Sequence, residues 1–150
     1  MKRSGQQLPS IKHFLEIYAA AFLIYDTKQM AFLHNMPCTL VSDEKTSVFN
    51  DYSRLEGFFN LGAVFYRQFG IVKAIPEVWT RREWTERIAN VKVNWQYHDR
   101  NDKLIYTCDY HYVLKADKHN SWKIILSVSV NEKERMEEWQ AARSAKVLAW

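Results

Sequence analysis

Between Arg87 and Asn131 the sequence alternates in the manner of paired strands, and this stretch constrains the fold more than any other. Ala89, Val91, Val93, Trp95 and Tyr97 interleave with Asn90, Lys92, Asn94, Gln96 and His98. That period of two marks a strand with one buried and one wetter face. The polar run Asp99 to Asp102 favours a turn. Lys103 to Ala116 follows, rich in Tyr, Ile, Val and Thr, side chains that suit a pleated, half-buried surface. With the turn confined to four residues, His98 pairs with Lys103. Trp95 then faces Tyr106, Val93 faces Cys108, Val91 faces Tyr110 and Ala89 faces Tyr112. On the opposite face Lys92 meets Asp109 and Asn90 meets His111. A second polar turn, Asp117 to Ser121, leads into Trp122 to Val130, where Trp122, Ile124, Leu126, Val128 and Val130 share a face. Three antiparallel strands thus offer one apolar, aromatic face that other elements must cover.

The rest of the chain supplies the cover. Met1 to Leu8 is polar and reads as a frayed lead. Pro9-Ser10 opens a helix with Ile11, Phe14, Leu15, Tyr18, Phe22 and Tyr25 on one stripe. Asp26 or Thr27 caps a second short helix through Leu33, and Pro37 stops it. Cys38 to Val41 and Thr46 to Phe49 read as short strands around the turn Ser42 to Lys45. Ser53 and Glu56 form a capping box for a helix carrying Leu55, Phe58, Phe59 and Phe65, which Gly70 ends. Ile71 to Trp79 is a strand whose Pro76 calls for an edge or a bulge. Glu132 to Trp150 is a charged helix bearing Met136, Trp139, Val147, Leu148 and Trp150, apolar enough to dock but not to fold alone. Helices segregated from a mostly antiparallel sheet predict an α+β architecture.

The chain's 150 residues suit a single domain spanning 1–150, with 132–150 as a helical tail. A charge of +4 is mild, and only Lys2-Arg3 and Arg81-Arg82 are adjacent basic pairs, so nucleic acid is not the expected partner. No run approaches the roughly 20 apolar residues of a membrane span. Cys38 and Cys108 lack metal-ligand spacing and suit free thiols in a cytoplasmic protein. No metal and no cofactor are expected: the histidines form no ligand pair, and neither a glycine-rich phosphate loop nor a GxSxG turn is present.

The order of elements resembles the nuclear transport factor 2-like superfamily, and within it the SnoaL-like group. The resemblance rests on Phe14 to Tyr18, His34 to Cys38, Leu55 to Phe59, and above all Val93-Asn-Trp95, Tyr110 to Leu114 and Trp122-Lys-Ile124. It covers roughly Ile11 to Glu132. The fold it implies is a curved, cone-shaped sheet, a barrel open at one end, wrapped around three helices from the N-terminal half with an extra C-terminal helix. It also implies a homodimer paired through the sheet. Because the superfamily holds isomerases, dehydratases, cyclases, hydrolases and transport factors, no reaction follows from the fold.

The apolar face of the meander would line the cone. Trp95, Tyr106, Cys108, Tyr110 and Tyr112, with Tyr18, Phe22 and Tyr25 from the first helix, are the candidate ligand-binding residues. They suit a hydrophobic or aromatic small molecule oriented by phenol hydroxyls. Each aromatic could equally be plain core. As the resemblance implies, an isomerase would use Tyr18 to polarise a carbonyl and Asp43 as base, although Asp43 also suits a solvated turn. The second acid such an enzyme needs is missing from the lining. A dehydratase would use an Asp-His pair. Asp109 and His111 supply one, with His34 approaching, only if their strand face lines the cone. His34 and Cys38 invite a nucleophile reading, against which stands the apolar setting of Cys38. The expected function is small-molecule binding, with lyase, isomerase or hydrolase activity as its catalytic form. The alternative is a non-catalytic module that binds a protein through the sheet or the 132–150 helix.

Overall fold

The computed structural model describes residues 8–148. The expectations for Met1 to Gln7, and for the side chains of Val147, Leu148 and Trp150, lie outside what it describes. Ser10 caps helix α1 (Ile11–Leu23) by accepting from the His13 amide at 3.2 Å. Asp26 caps α2 (Thr27–Phe32) through the Gln29 amide. Strands β1 (His34–Val41) and β2 (Thr46–Phe49) form a hairpin. Helix α3 (Tyr52–Tyr66) is capped by Asp51, which accepts from the Arg54 amide at 2.8 Å. The cap expected at Ser53 falls inside the helix, because Asp51 keeps extended dihedrals and reaches the amide three residues on. A short turn of 3-10 helix then ends at Gly70, whose φ of 69° is the left-handed conformation that glycine adopts freely.

Strands β3 (Lys73–Thr85), β4 (Ile88–His98), β5 (Leu104–Ala116) and β6 (Trp122–Ser129) complete one sheet, and α4 (Glu132–Leu148) closes the chain. The strand order is β2-β1-β6-β5-β4-β3, with β1 and β6 parallel and every other pair antiparallel. Because β2 and β3 remain edges, the sheet is curved but is not a closed barrel. Its concave face packs on α1. Leu15, Val91, Val93 and Leu114 are fully excluded from solvent, with Phe14, Trp95 and Ile124 nearly so.

Three departures from the sequence reading shape the site. The β4–β5 turn is one residue longer than four, because the Asp99 carboxylate accepts from the amides of both Asn101 and Lys103. With a bulge at Tyr97–His98, the register shifts by two: Trp95 pairs Cys108, Val93 pairs Tyr110, Val91 pairs Tyr112, Asn94 pairs Asp109 and Lys92 pairs His111. An even shift changes partners but leaves every side chain on its expected face. In β6 an irregularity between the pairs Leu114–Ile124 and Val113–Leu126 inserts one residue. Trp122 and Ile124 face inward as expected. Ser127 and Ser129 then replace Leu126 and Val128 opposite Tyr112 and Tyr110, and the two aliphatics join Val113 and His111 on the outer face. Finally, β3 runs to Thr85 rather than Trp79. Its last seven residues are exposed, so no buried face imprints an alternation on the sequence.

Candidate functional site

Between the helices and the concave face lies a cavity of about 330 Å³, at the small end of ligand-sized pockets. Its apolar wall comes from Phe22, Met30, Leu40, Phe58, Phe59 and Trp95. The β6 irregularity helps to make the space, since serines stand where alternation would have set bulkier aliphatic side chains. Ser42 and Lys45 of the β1–β2 turn border it toward solvent.

The chemistry gathers at three places. Glu132, the first residue of α4, is only 5% exposed. Its Oε1 accepts from the Tyr66 hydroxyl at 2.6 Å and from the Tyr110 hydroxyl; its Oε2 accepts from Tyr106 at 2.9 Å and from the Cys108 thiol at 3.6 Å. Position at a helix N-terminus also favours a carboxylate. Burial, reinforced by the Glu132 charge, pushes the Tyr66, Tyr106 and Tyr110 hydroxyls well above the usual phenol range, so they keep their protons and donate them.

Asp109 fixes the entry to that helix. Asn131 accepts from the Asp109 amide at 2.8 Å and donates to the Asp109 carboxylate at 3.1 Å, and Asn94 donates to the same carboxylate at 2.9 Å. This polar clamp on the outer face therefore sets where Glu132 enters the cone.

The second place is His34, at the start of β1 and 1% exposed. Its Nδ1 lies 2.8 Å from the Met30 carbonyl, which assigns the proton to Nδ1 and leaves Nε2 an acceptor. Burial pulls its pKa down to about 4, and the Lys123 charge adds to this against the Met30 bond, so the ring is neutral at pH 7. Tyr18 stands edge-on to it, ring centroids 6.0 Å apart.

The third place joins Tyr18, Trp95 and Tyr112. The Trp95 indole N–H donates to the Tyr112 oxygen at 2.9 Å, which leaves the Tyr112 proton free to donate onward. Tyr18 packs against Trp95 at 6.3 Å, and among the described residues its hydroxyl donates to no other group. Burial, with the Glu132 charge behind it, raises the Tyr18 pKa. For Tyr112 burial acts first and neighbouring Tyr18 second. Both are neutral donors.

Of the residues named from the sequence, Tyr18, Phe22, Tyr25, Trp95, Tyr110 and Tyr112 border the cavity. Tyr106 and Cys108 lie on the same strand face but reach Glu132 rather than the opening. Asp43 is exposed in the β1–β2 turn and lines a neighbouring groove that shares Ser42, Ser129 and Glu132 with the cavity. Asp109 and His111 lie on the outer face, paired with Asn94 and Lys92. The structure does not bring Asp43, Asp109 and His111 together with Tyr18. Burial raises the Cys38 thiol to about 11 and also pushes up Cys108, so neither is activated as a nucleophile. Among the described residues, no three His, Cys, Asp or Glu side chains converge as metal ligands, and no helix is long and apolar enough to cross a membrane.

Glu132, Tyr66 and the two serines escape the sequence reading. One signal for Glu132 was present: Tyr106 and Tyr110 share a buried face that carries no carboxylate, and their hydroxyl protons need acceptors there.

Comparison with known proteins agrees with this fold. A family model described as "NTF2-like protein (DUF6841)" matches residues 6–132. No curated protein matches the sequence significantly. Among solved structures, a cystatin-like-fold domain of unknown function from Nostoc punctiforme superposes with a TM-score of 0.63 at 13% identity, covering 93% of this chain and 91% of that one. An NTF-2 like protein of unknown function from Shewanella oneidensis gives 0.60 at 13%, over 79% and 93%. A ketosteroid isomerase-like protein from Erwinia carotovora atroseptica gives 0.60 at 13%, over 84% and 96%. At such identities the likeness is one of fold alone. The family model, which spans most of the chain, carries the assignment: this protein belongs to the NTF2-like family DUF6841.

Proposed function

We propose that the protein binds a small, mainly apolar or aromatic molecule in the cavity and anchors a carbonyl oxygen of it between the Tyr18 and Tyr112 hydroxyls. The observation that carries this reading is the Trp95-to-Tyr112 hydrogen bond, which fills the acceptor side of Tyr112 and turns its proton toward a ligand. A chained donor is polarised by the bond behind it. Two neutral phenols in a dry, apolar site would also stabilise the oxygen of an enolate. His34 beside Tyr18 supplies a neutral acceptor for a proton next to that carbonyl. Isomerisation or elimination adjacent to a carbonyl is therefore the reaction class that fits; hydrolysis lacks an activated nucleophile.

Calorimetric titration with acetophenone tests the anchor. Tyr18→Phe and Tyr112→Phe are each expected to weaken binding about tenfold, the worth of one well-placed hydrogen bond. Unchanged affinity in both variants, or no binding by the native protein, would sink the reading.

A second reading concerns the outer face of the sheet. The β6 irregularity turns Leu126 and Val128 outward beside Val113, and Trp79 is half exposed on β3. Such a mixed surface suits pairing with a second copy about a twofold axis. Light scattering should then give a dimer for the native chain and a monomer for Val128→Glu. A native monomer at high concentration rules the pairing out.

A further inference from the structure

Four of the six tyrosines that border the cavity, Tyr18, Tyr66, Tyr110 and Tyr112, do not offer the same chemistry, and the difference fixes the polarity of the ligand. Tyr66 and Tyr110 give their protons to Glu132. Each phenol has one proton, so toward the cavity these two oxygens can only accept. Donation to a carboxylate also enriches the oxygen that remains. Tyr18 and Tyr112 are the reverse case. The Tyr112 oxygen already receives the Trp95 N–H, and the Tyr18 proton has no taker among the described residues. Ser127 and Ser129 can turn their hydroxyls either way and do not decide the matter.

The two kinds of phenol are a fixed distance apart. Tyr110 and Tyr112 are alternate residues of β5, with rings nearly parallel, 13° between planes and 5.6 Å between centroids. Their rings therefore stand side by side, one phenol oxygen acceptor-only and one donating. Phe22, Phe59 and Trp95 wall the space between the helices and this pair.

Resting on the binding reading above, we infer that the ligand class is a para-hydroxyaryl ketone or aldehyde. Its carbonyl oxygen accepts from Tyr18 and Tyr112, and its hydroxyl donates to the Tyr110 oxygen. Glu132 acts here as a positioning residue: it borders the cavity, but its oxygens already receive the Tyr66, Tyr106 and Tyr110 protons, and it orients those of Tyr66 and Tyr110 away from the ligand. No covalent step is involved.

The test compares three probes by calorimetry at a pH where all are neutral: acetophenone, 4-hydroxyacetophenone and 4-methoxyacetophenone. The native protein is expected to bind the 4-hydroxy compound at least tenfold more tightly than the other two. Tyr110→Phe keeps the ring and leaves Glu132 the Tyr66 and Tyr106 donors, so it should fold. It should erase the tenfold preference, the ratio of the 4-hydroxyacetophenone and acetophenone affinities in this variant being the readout. Tyr112→Phe should weaken all three alike. If acetophenone binds and the hydroxyl gives no advantage, or if Tyr110→Phe keeps the advantage, the inference is overturned while the carbonyl anchor stands. If none of the three binds, both fall together.

Discussion

Replacing Glu132 by alanine is expected to cost about 3–5 kcal/mol of folding stability, the range for removing one partner from a buried, charge-assisted network. The size follows from what is left behind. Tyr66, Tyr106 and Tyr110 would each keep a buried hydroxyl proton with its acceptor gone, and the Cys108 thiol would lose its partner too. Their high pKa values, set first by burial, prevent escape through ionisation. Glu132→Gln should cost about 1–2 kcal/mol, because the carboxamide keeps one acceptor oxygen but turns a donor toward phenols that also donate. Glu134→Ala, two residues on and exposed, should fall within about 0.5 kcal/mol of the native chain. Urea unfolding measures all three. A loss below about 1 kcal/mol for Glu132→Ala would show that water replaces the carboxylate cheaply and that the cluster is not dry.

Acidification is expected to remove about 3 kcal/mol through His34 alone, from the separation of its two pKa values. The free imidazole takes its proton near pH 6.5, whereas burial holds the folded one down to about 4. Between those values the unfolded chain carries the extra proton, so stability rises with pH. It is fully present above about 6.5 and lost progressively as pH falls toward 4. Carboxylates titrate near the lower end of this window, so the comparison to make is with His34→Gln. The amide can still donate to the Met30 carbonyl and does not titrate. The native curve should fall more steeply than the variant's from pH 6.5 to 4, and the two should run parallel above 7. Parallel curves throughout would mean that the ring is protonated in the folded chain, or that solvent reaches it.

Much of this arrangement could be read from the residues. The alternation of Ala89 to His98 and of Lys103 to Ala116 assigned faces correctly, because a buried aromatic side and a polar side leave a period of two whatever the register. Partners are another matter. They depend on one Asp99 side chain gripping two amides and lengthening the turn, which composition does not reveal. The inserted residue in β6 left one trace: Trp122 to Val130 alternates except at Ile125, and the structure breaks phase there, between Ile124 and Leu126, so that Ser127 and Ser129 face the cavity while Leu126 and Val128 pair outside. Asp109 and His111 lie on the outer face, where the alternation places them, and not in the lining that an Asp-His pair would need; Asp109 holds Asn131 and so places Glu132. Glu132 stayed hidden because a carboxylate amid Lys133, Glu134 and Arg135 looks like any solvated helix start. The phenol donors of β5 were the one sign of it.

Where an aromatic ketone sits in the cavity tests the carbonyl anchor most directly. A crystal structure of the native protein with acetophenone should show the ketone in the cavity, its oxygen within hydrogen-bonding distance of both the Tyr18 and Tyr112 hydroxyls, and Glu132 still bound by its three phenols. A ketone found only on the surface, or in the cavity with its oxygen turned away from both tyrosines, would contradict it.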